Sequence, residues 1–344
     1  AKLTQLLGED FFIIRYSVQR ILNLFDLTYL DVLVSLGLQL FKKATEQQVE
    51  VRDDVLNHIL AFTKDISTET EITSKTDTGL GASLNFLAGK LSAKMGTEDA
   101  TREIVREKVS RRLSDLVEAI DILSQEVESD KGRRVLFVVE DIDKADLETA
   151  KHLFYDHAAS LLAPPVSVIY TFPTALRKDN DFMQIQNNVS QCYPLPNIKT
   201  RSRDGSGDQE GLDQLRTLLT RRVEEKLIEP QAMSELARLS GGIPRELITL
   251  SRQASLEARK ANRTSINKEA VDKAALRKRI DYQVLLSKAQ IVLLKEIRKT
   301  KSIDNTEEYR DLLHNLSVLE YRNDIGVWYD VHPLVKPLLT DQHD

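Results

Sequence analysis

A single cysteine, Cys192, in 344 residues removes the means to build an internal disulfide or a cysteine-ligated metal cluster. The reducing cytoplasm is therefore the expected compartment, with Cys192 as a small core residue. No uninterrupted apolar run reaches the ~18 residues that a membrane-spanning helix needs. The richest stretch, Leu27 to Phe41, is broken by Asp31, Ser35, Gly37 and Gln39, so no membrane partner is expected. The six histidines are scattered; His152 and His157 share a helical stretch, but none lies beside cysteines or acids at zinc-ligand spacing. No nucleophile sits next to a base in any motif-like arrangement, which leaves hydrolase chemistry of the triad kind without support. The formal net charge of −5 argues against a surface that binds nucleic acid or anionic lipid indiscriminately.

What the chain does have is 41% apolar residues and a length that fits two or three domains. Its most informative stretch is Arg133-Arg134-Val135-Leu136-Phe137-Val138-Val139-Glu140-Asp141-Ile142-Asp143. A continuous apolar run of this length reads as a strand buried on both faces, and its acidic end places Glu140 and Asp141 in the crevice beyond the strand tips of an open α/β sheet. A strand ending in an ordinary polar turn is the plain alternative. Val166 to Thr171 reads as a second buried strand, and Val189 to Leu195 as a weaker third. Between the first two, Leu147, Ala150, Leu153, Phe154, Ala158, Leu161 and Leu162 recur at helical spacing until Pro164-Pro165. Strand, helix and strand within so short a span predict a parallel crossover unit and an α/β fold. Upstream, Phe11 to Ser17 reads as a strand and Asp26 to Lys42 as a helix, followed by a second helical stretch through Phe62. Ile66 to Ala82 reads as a polar loop, and a long helix opens at Thr97-Glu98-Asp99 and keeps its period to Val127.

On these motifs, in this order, the sequence resembles the P-loop NTPases of the AAA+ and STAND type, with their origin-recognition-like and KAP-like branches. Leu136 to Asp143 looks like a Walker B strand. Tyr170-Thr171-Phe172-Pro173 looks like a sensor 1 segment, and Gly241-Gly242-Ile243-Pro244-Arg245-Glu246-Leu247 looks like the sensor 2 turn of a helical lid. The resemblance implies ATP and Mg²⁺ as cofactors. It assigns water-mediated Mg²⁺ binding to Glu140, orientation of the attacking water to Asp141, and reading of the γ-phosphate to Thr171 and Arg245. The plain alternatives are a turn-capping hydroxyl for Thr171 and a surface arginine paired with Glu246 or another acid for Arg245. Two departures stand out. Glu140 occupies a place where the family has Asp, and no G-x-x-x-x-G-K-[ST] phosphate loop occurs. Leu84 to Leu91 contains Gly89-Lys90 but lacks the first glycine and the terminal hydroxyl, and reads as ordinary helix or loop. The start at Ala1, close to the Phe11 strand, is read as a chain cut after the Walker A helix, with Ala1 to Leu7 as that helix's tail.

Residues 1–200 are thus expected to form an incomplete α/β ATPase core, and Lys199 to Gly211 a flexible boundary. A helical lid is expected over 205–280. From Tyr282 onward, a helix through Ile297, another from Asn305 to Asn315 and a hairpin from Val318 to Val331 resemble a winged helix over 281–344. Glu307, Glu308, Asp311 and Asp324 would repel phosphate, which favours a protein-docking or autoinhibitory winged helix, with a homo-oligomer or protein partner, over DNA. The basic residues Arg259, Lys260, Arg263 and Arg277-Lys278-Arg279 keep DNA as an alternative. The leading expectation is an ATP-driven switch; the alternatives are a DNA-binding initiator or loader and an inactive scaffold built on an ATPase fold.

Overall fold

In the computed structural model the described residues are 2–66, 88–91, 93, 95–96, 99–324 and 326–340. The expected loop from Ile66 to Ala82 lies outside them beyond its first residue, as does the first half of the Leu84 to Leu91 stretch. The chain divides into two compact units, residues 1–176 with 181–192, and residues 177–180 with 193–344. The segments read as lid and C-terminal domain belong together in the second unit.

The first unit is mixed α/β. Its sheet contains β1 (Phe11–Ser17), β2 (Arg134–Glu140) and β3 (Ser167–Tyr170), all parallel in the order β1-β2-β3. The residue patterns explain these positions. The central β2 buries Val135 through Val139 without interruption, as a strand covered on both faces must. On the neighbouring β1 burial alternates, with Phe12, Ile14 and Tyr16 inward and Arg15 exposed. The outer strand β3 leaves Ile169 at 43% exposure, so this edge is apolar and unpaired among the described residues.

Helices cover the sheet. After α1 (Lys2–Leu7) and β1, α2 (Tyr29–Glu46) starts at a capping box: Asp31 N–H donates to Thr28 Oγ1, and Thr28 N–H donates to Asp31 Oδ2 at 2.9 Å. Then come α3 (Asp53–Ile66), α4 (Asp99–Arg111) and α5 (Leu113–Lys131). The single long helix expected from Asp99 to Val127 is interrupted at Arg112, whose ψ of 37° leaves the helical region. Gly132, at φ 63°, ends α5 in the left-handed conformation and turns the chain into β2. The helix expected between β2 and β3 is also subdivided, into α6 (Leu147–Lys151), a π-helical turn over His152–Asp156, and α7 (Ala158–Leu161). After α8 (Phe182–Asn188), the expected third strand does not form. Val189 to Leu195 is irregular, Tyr193 and Leu195 are 75% and 89% exposed, and Pro194 has no N–H to offer a ladder.

The second unit holds α9 (Gln209–Thr220), α10 (Pro230–Leu239), α11 (Pro244–Lys260) and α12 (Lys268–Leu285), then α13 (Lys288–Thr300), α14 (Glu307–His314) and an antiparallel hairpin of β4 (Val318–Asn323) and β5 (Gly326–Val331). Pro230 and Pro244 each occupy a first helical turn, where the missing N–H costs nothing. Gly242 is required by contact as well as by its φ of 86°: a Cβ there would lie 1.8 Å from the Ile198 carbonyl oxygen. The hairpin stacks Tyr321 on Trp328 at 4.5 Å between ring centres, and Tyr321 Oη donates to the Gly241 carbonyl at 2.7 Å. The glycine pair between α10 and α11 is therefore fastened to the hairpin and to residue 198.

Candidate functional site

The strand register brings the first unit's polar residues level at one end of the sheet. Ser17, the last residue of β1, pairs with Glu140, the last of β2. Val139 pairs with Tyr170, and Thr171 N–H donates to the Val139 carbonyl at 3.1 Å, which carries the ladder one residue past β3. Ser17, Glu140 and Thr171 thus lie in one row across the three carboxyl ends, and Asp141 follows one residue beyond. This is the place where open α/β sheets bind ligands.

The two carboxylates meet different surroundings. Glu140 shares the partly exposed face of the sheet with Arg15 and is gripped at both oxygens, Arg15 Nε donating to Oε2 at 2.9 Å and Nη2 to Oε1 at 2.8 Å. A paired guanidinium fork of this kind is the strongest geometry available to the two side chains. Asp141 leaves the strand through a left-handed residue, φ 74°, a conformation Asp tolerates better than most. Its Oδ2 accepts a short hydrogen bond from the Ser17 hydroxyl, and its Oδ1 lies 2.8 Å from Lys144 Nζ. Lys144 in turn donates to Gln19 Oε1 at 2.8 Å. Partial burial pushes the Asp141 pKa up, but hydrogen bonds from Lys144 and Ser17, with the charges of Lys144 and Arg20, outweigh it and hold the carboxyl below its ordinary value. Asp141 is ionised at neutral pH and already faces a cation.

Thr171 differs from both. Its Oγ1 is buried and has no hydrogen-bond partner among the described residues. The turn-capping role open to a strand-end threonine is thus not taken up by this hydroxyl. A buried hydroxyl without a partner is costly unless something outside the chain completes it. Arg245 belongs to the second unit. It is the second residue of α11, exposed, and makes no ion pair among the described residues, so the plain alternative of a surface arginine paired with Glu246 or another acid is not seen. Glu246 is buried and sits 3.1 Å from Lys278 instead.

Sequence reasoning named Glu140, Asp141 and Thr171 but missed the groups that engage them. Lys144 is one helical turn from Asp141, a spacing that could have suggested the pair. Arg15 and Ser17 become neighbours of the acids only through the β1–β2 register, which no local signal specifies. No group of three or more metal-ligating side chains forms among the described residues. Comparison with protein-family models and with curated proteins returns no match.

Proposed function

We propose that the first unit is an ATPase-type α/β core and that its strand tips form the metal and water half of a nucleotide site in an ATP-dependent switch. The observation that carries this reading is the level row of Ser17, Glu140 and Thr171 with Asp141 just beyond it, in which Thr171 Oγ1 is buried without a partner. The residues fit Mg-ATP in type: carboxylates for a hydrated cation, an acceptor for a water, and a free hydroxyl for an anionic oxygen. Mg-ATP would supply a phosphoanhydride whose terminal phosphoryl group is passed to water. With Mg-ATP bound, Asp141 would orient that water through a carboxylate oxygen, Thr171 would donate its hydroxyl toward the phosphate side, and Glu140 would hold the hydrated metal. The phosphate-wrapping half is not encoded as a recognisable glycine-rich loop. The open edge of β3, with Ile169 exposed, is where an added strand would bring one.

In this reading Lys144 and Arg15 hold the acids while no metal is present, and both must yield when Mg-ATP enters. Calorimetric titration with Mg-ATP tests it. Lys144→Ala should tighten binding by removing the competing cation, and Asp141→Asn should weaken it; equal affinities for the two variants and the parent chain would count against the assignment. For Arg245, an exposed and unpaired guanidinium on the first turn of α11, we propose an anion-binding role within the second unit's surface. A second reading, an ATPase fold kept as a scaffold, is favoured by one specific observation: both oxygens of Glu140 are committed to Arg15. It predicts that Mg-ATP leaves the unfolding of the first unit unchanged.

A further inference from the structure

The exposed side of α11 carries Arg245, Arg252 and Arg259, one every seventh residue, with Ile248 and Leu256 between them at 39% and 46% exposure. Seven residues are close to two helical turns, so the five side chains form one stripe, opposite the buried Leu247, Leu250 and Ala254. Cations elsewhere on α11 and α12 are matched within the fold, except Arg279, which has no ion pair among the described residues. Lys260 and Arg277 reach Glu257 at 3.1 and 3.0 Å, and Lys278 reaches Glu246 at 3.1 Å. The three arginines of the stripe have no acid partner among the described residues. A helix face that exposes aliphatic side chains between unmatched guanidinium groups is suited to an acidic protein surface.

The same unit contains such a surface. Asp304, Glu307, Glu308 and Asp311 are exposed around the start of α14, and none of them forms an ion pair among the described residues. Glu308 accepts the Thr306 hydroxyl, at 2.7 Å, and its own backbone N–H. Arg310, the one cation of α14, is largely buried and directed toward Asp179 at 3.6 Å. The ridge is acidic, and the charge of Arg310 eases it at Glu308. Glu307 and Asp311 are about 6 Å apart along the helix, with Asp304 extending the row, while Arg252 and Arg259 are about 10 Å apart. The two rows oppose in charge.

We propose that these surfaces meet between copies of this chain, the arginine stripe of one copy against the Asp304 to Asp311 ridge of the next. Because the two patches differ, the contact is head-to-tail and propagates into a ring or a filament. Charge steers and orients it, and Leu256 between Arg252 and Arg259 gives it an apolar centre. The inference rests on the second unit alone and is independent of nucleotide binding.

Sedimentation velocity over a range of protein concentrations in low salt tests it. The average mass of the parent chain should rise with concentration and fall back in high salt. Arg252→Ser with Arg259→Ser, and separately Glu307→Gln with Asp311→Asn, should each weaken association at least tenfold while leaving thermal unfolding unchanged. Mixed together, the two variants retain one intact half each and should stop at a one-to-one dimer. A parent chain that stays monomeric, variants that assemble like the parent, or a mixture that forms no dimer would overturn the proposal. So would salt-dependent binding of duplex DNA that the arginine variant alone loses, without self-association, since the stripe would then serve phosphate.

Discussion

Asp31 is 1% exposed and faces the guanidinium of Arg106, which donates to its carboxylate from Nη2 at 2.6 Å and from Nε at 3.1 and 3.2 Å. The same carboxylate closes the capping box of α2 through Thr28. Arg106 also reaches Asp26 and Glu103, and Arg102 joins through Asp26, so α4 is pinned to the start of α2 by a buried ionic network. Asp31→Ala strands a buried guanidinium, which costs about 3–5 kcal/mol, and removes a helix cap, which costs about 1 kcal/mol more. For a unit of this size a kilocalorie shifts the melting temperature by about 2–4 °C, so the first unit should melt roughly 8–24 °C lower. Differential scanning calorimetry of the whole chain, with urea unfolding as a check, reads this directly. The double variant Asp31→Leu/Arg106→Met removes both charges together and should cost less than either single change. A shift in Asp31→Ala worth under about 1 kcal/mol, or a double variant whose cost equals the sum of the singles, would refute the reasoning.

His332 is fully buried, its Nδ1 accepting from Leu334 N–H at 3.2 Å, and burial with the charges of Lys278 and Lys336 lowers its pKa to about 3. The unfolded chain takes up this proton near pH 6.5 and the folded one does not, so the second unit should lose about 1.4 kcal/mol of stability per unit as pH falls below that value. Urea unfolding of the parent and of His332→Gln between neutral pH and about pH 4.5 should show this slope in the parent only. Gly242→Ala drives a Cβ into the Ile198 carbonyl at a residue of positive φ, and its second unit should be destabilised by several kcal/mol, visible as loss of its unfolding transition. Asp141 is held below its ordinary pKa, so its share of stability is present above about pH 4 and vanishes as pH falls through the depressed folded value. The difference in stability between the parent and Asp141→Asn should therefore shrink toward strongly acidic pH, and a constant difference would contradict it.

Where sequence and structure agree, a local signal was strong enough to fix the element. The uninterrupted apolar run of β2, the alternation of β1, the prolines at 230 and 244 and the hairpin residues on either side of Asp324 are patterns a few residues long. Breaks were not visible in the same way. The periodicity from Asp99 to Val127 continues across Arg112, and that from Leu147 to Leu162 continues across the π turn, because a phase change of one residue hardly alters an apolar pattern. Val189 to Leu195 contains β-forming residues, yet a strand also needs an edge to pair with, and Pro194 works against one. In the site, residue types were legible and pairings were not. Arg15, Ser17 and Lys144 act on the acids through register and turn geometry, which are set by the packing of the sheet. The Gly241-Gly242 pair was read for its chemistry, whereas its glycines are also required by close contacts to Ile198, Leu319 and His332.

The central claim is that the strand tips hold a nucleotide-bound metal. Electron paramagnetic resonance of Mn²⁺-ATP titrated with the chain addresses it most directly, because the signal reports the metal's own surroundings. The account predicts a weak, protein-dependent change in the Mn²⁺ signal that needs ATP and is abolished by Glu140→Gln. A signal that does not respond to the protein, or that responds equally with Glu140→Gln, would contradict it.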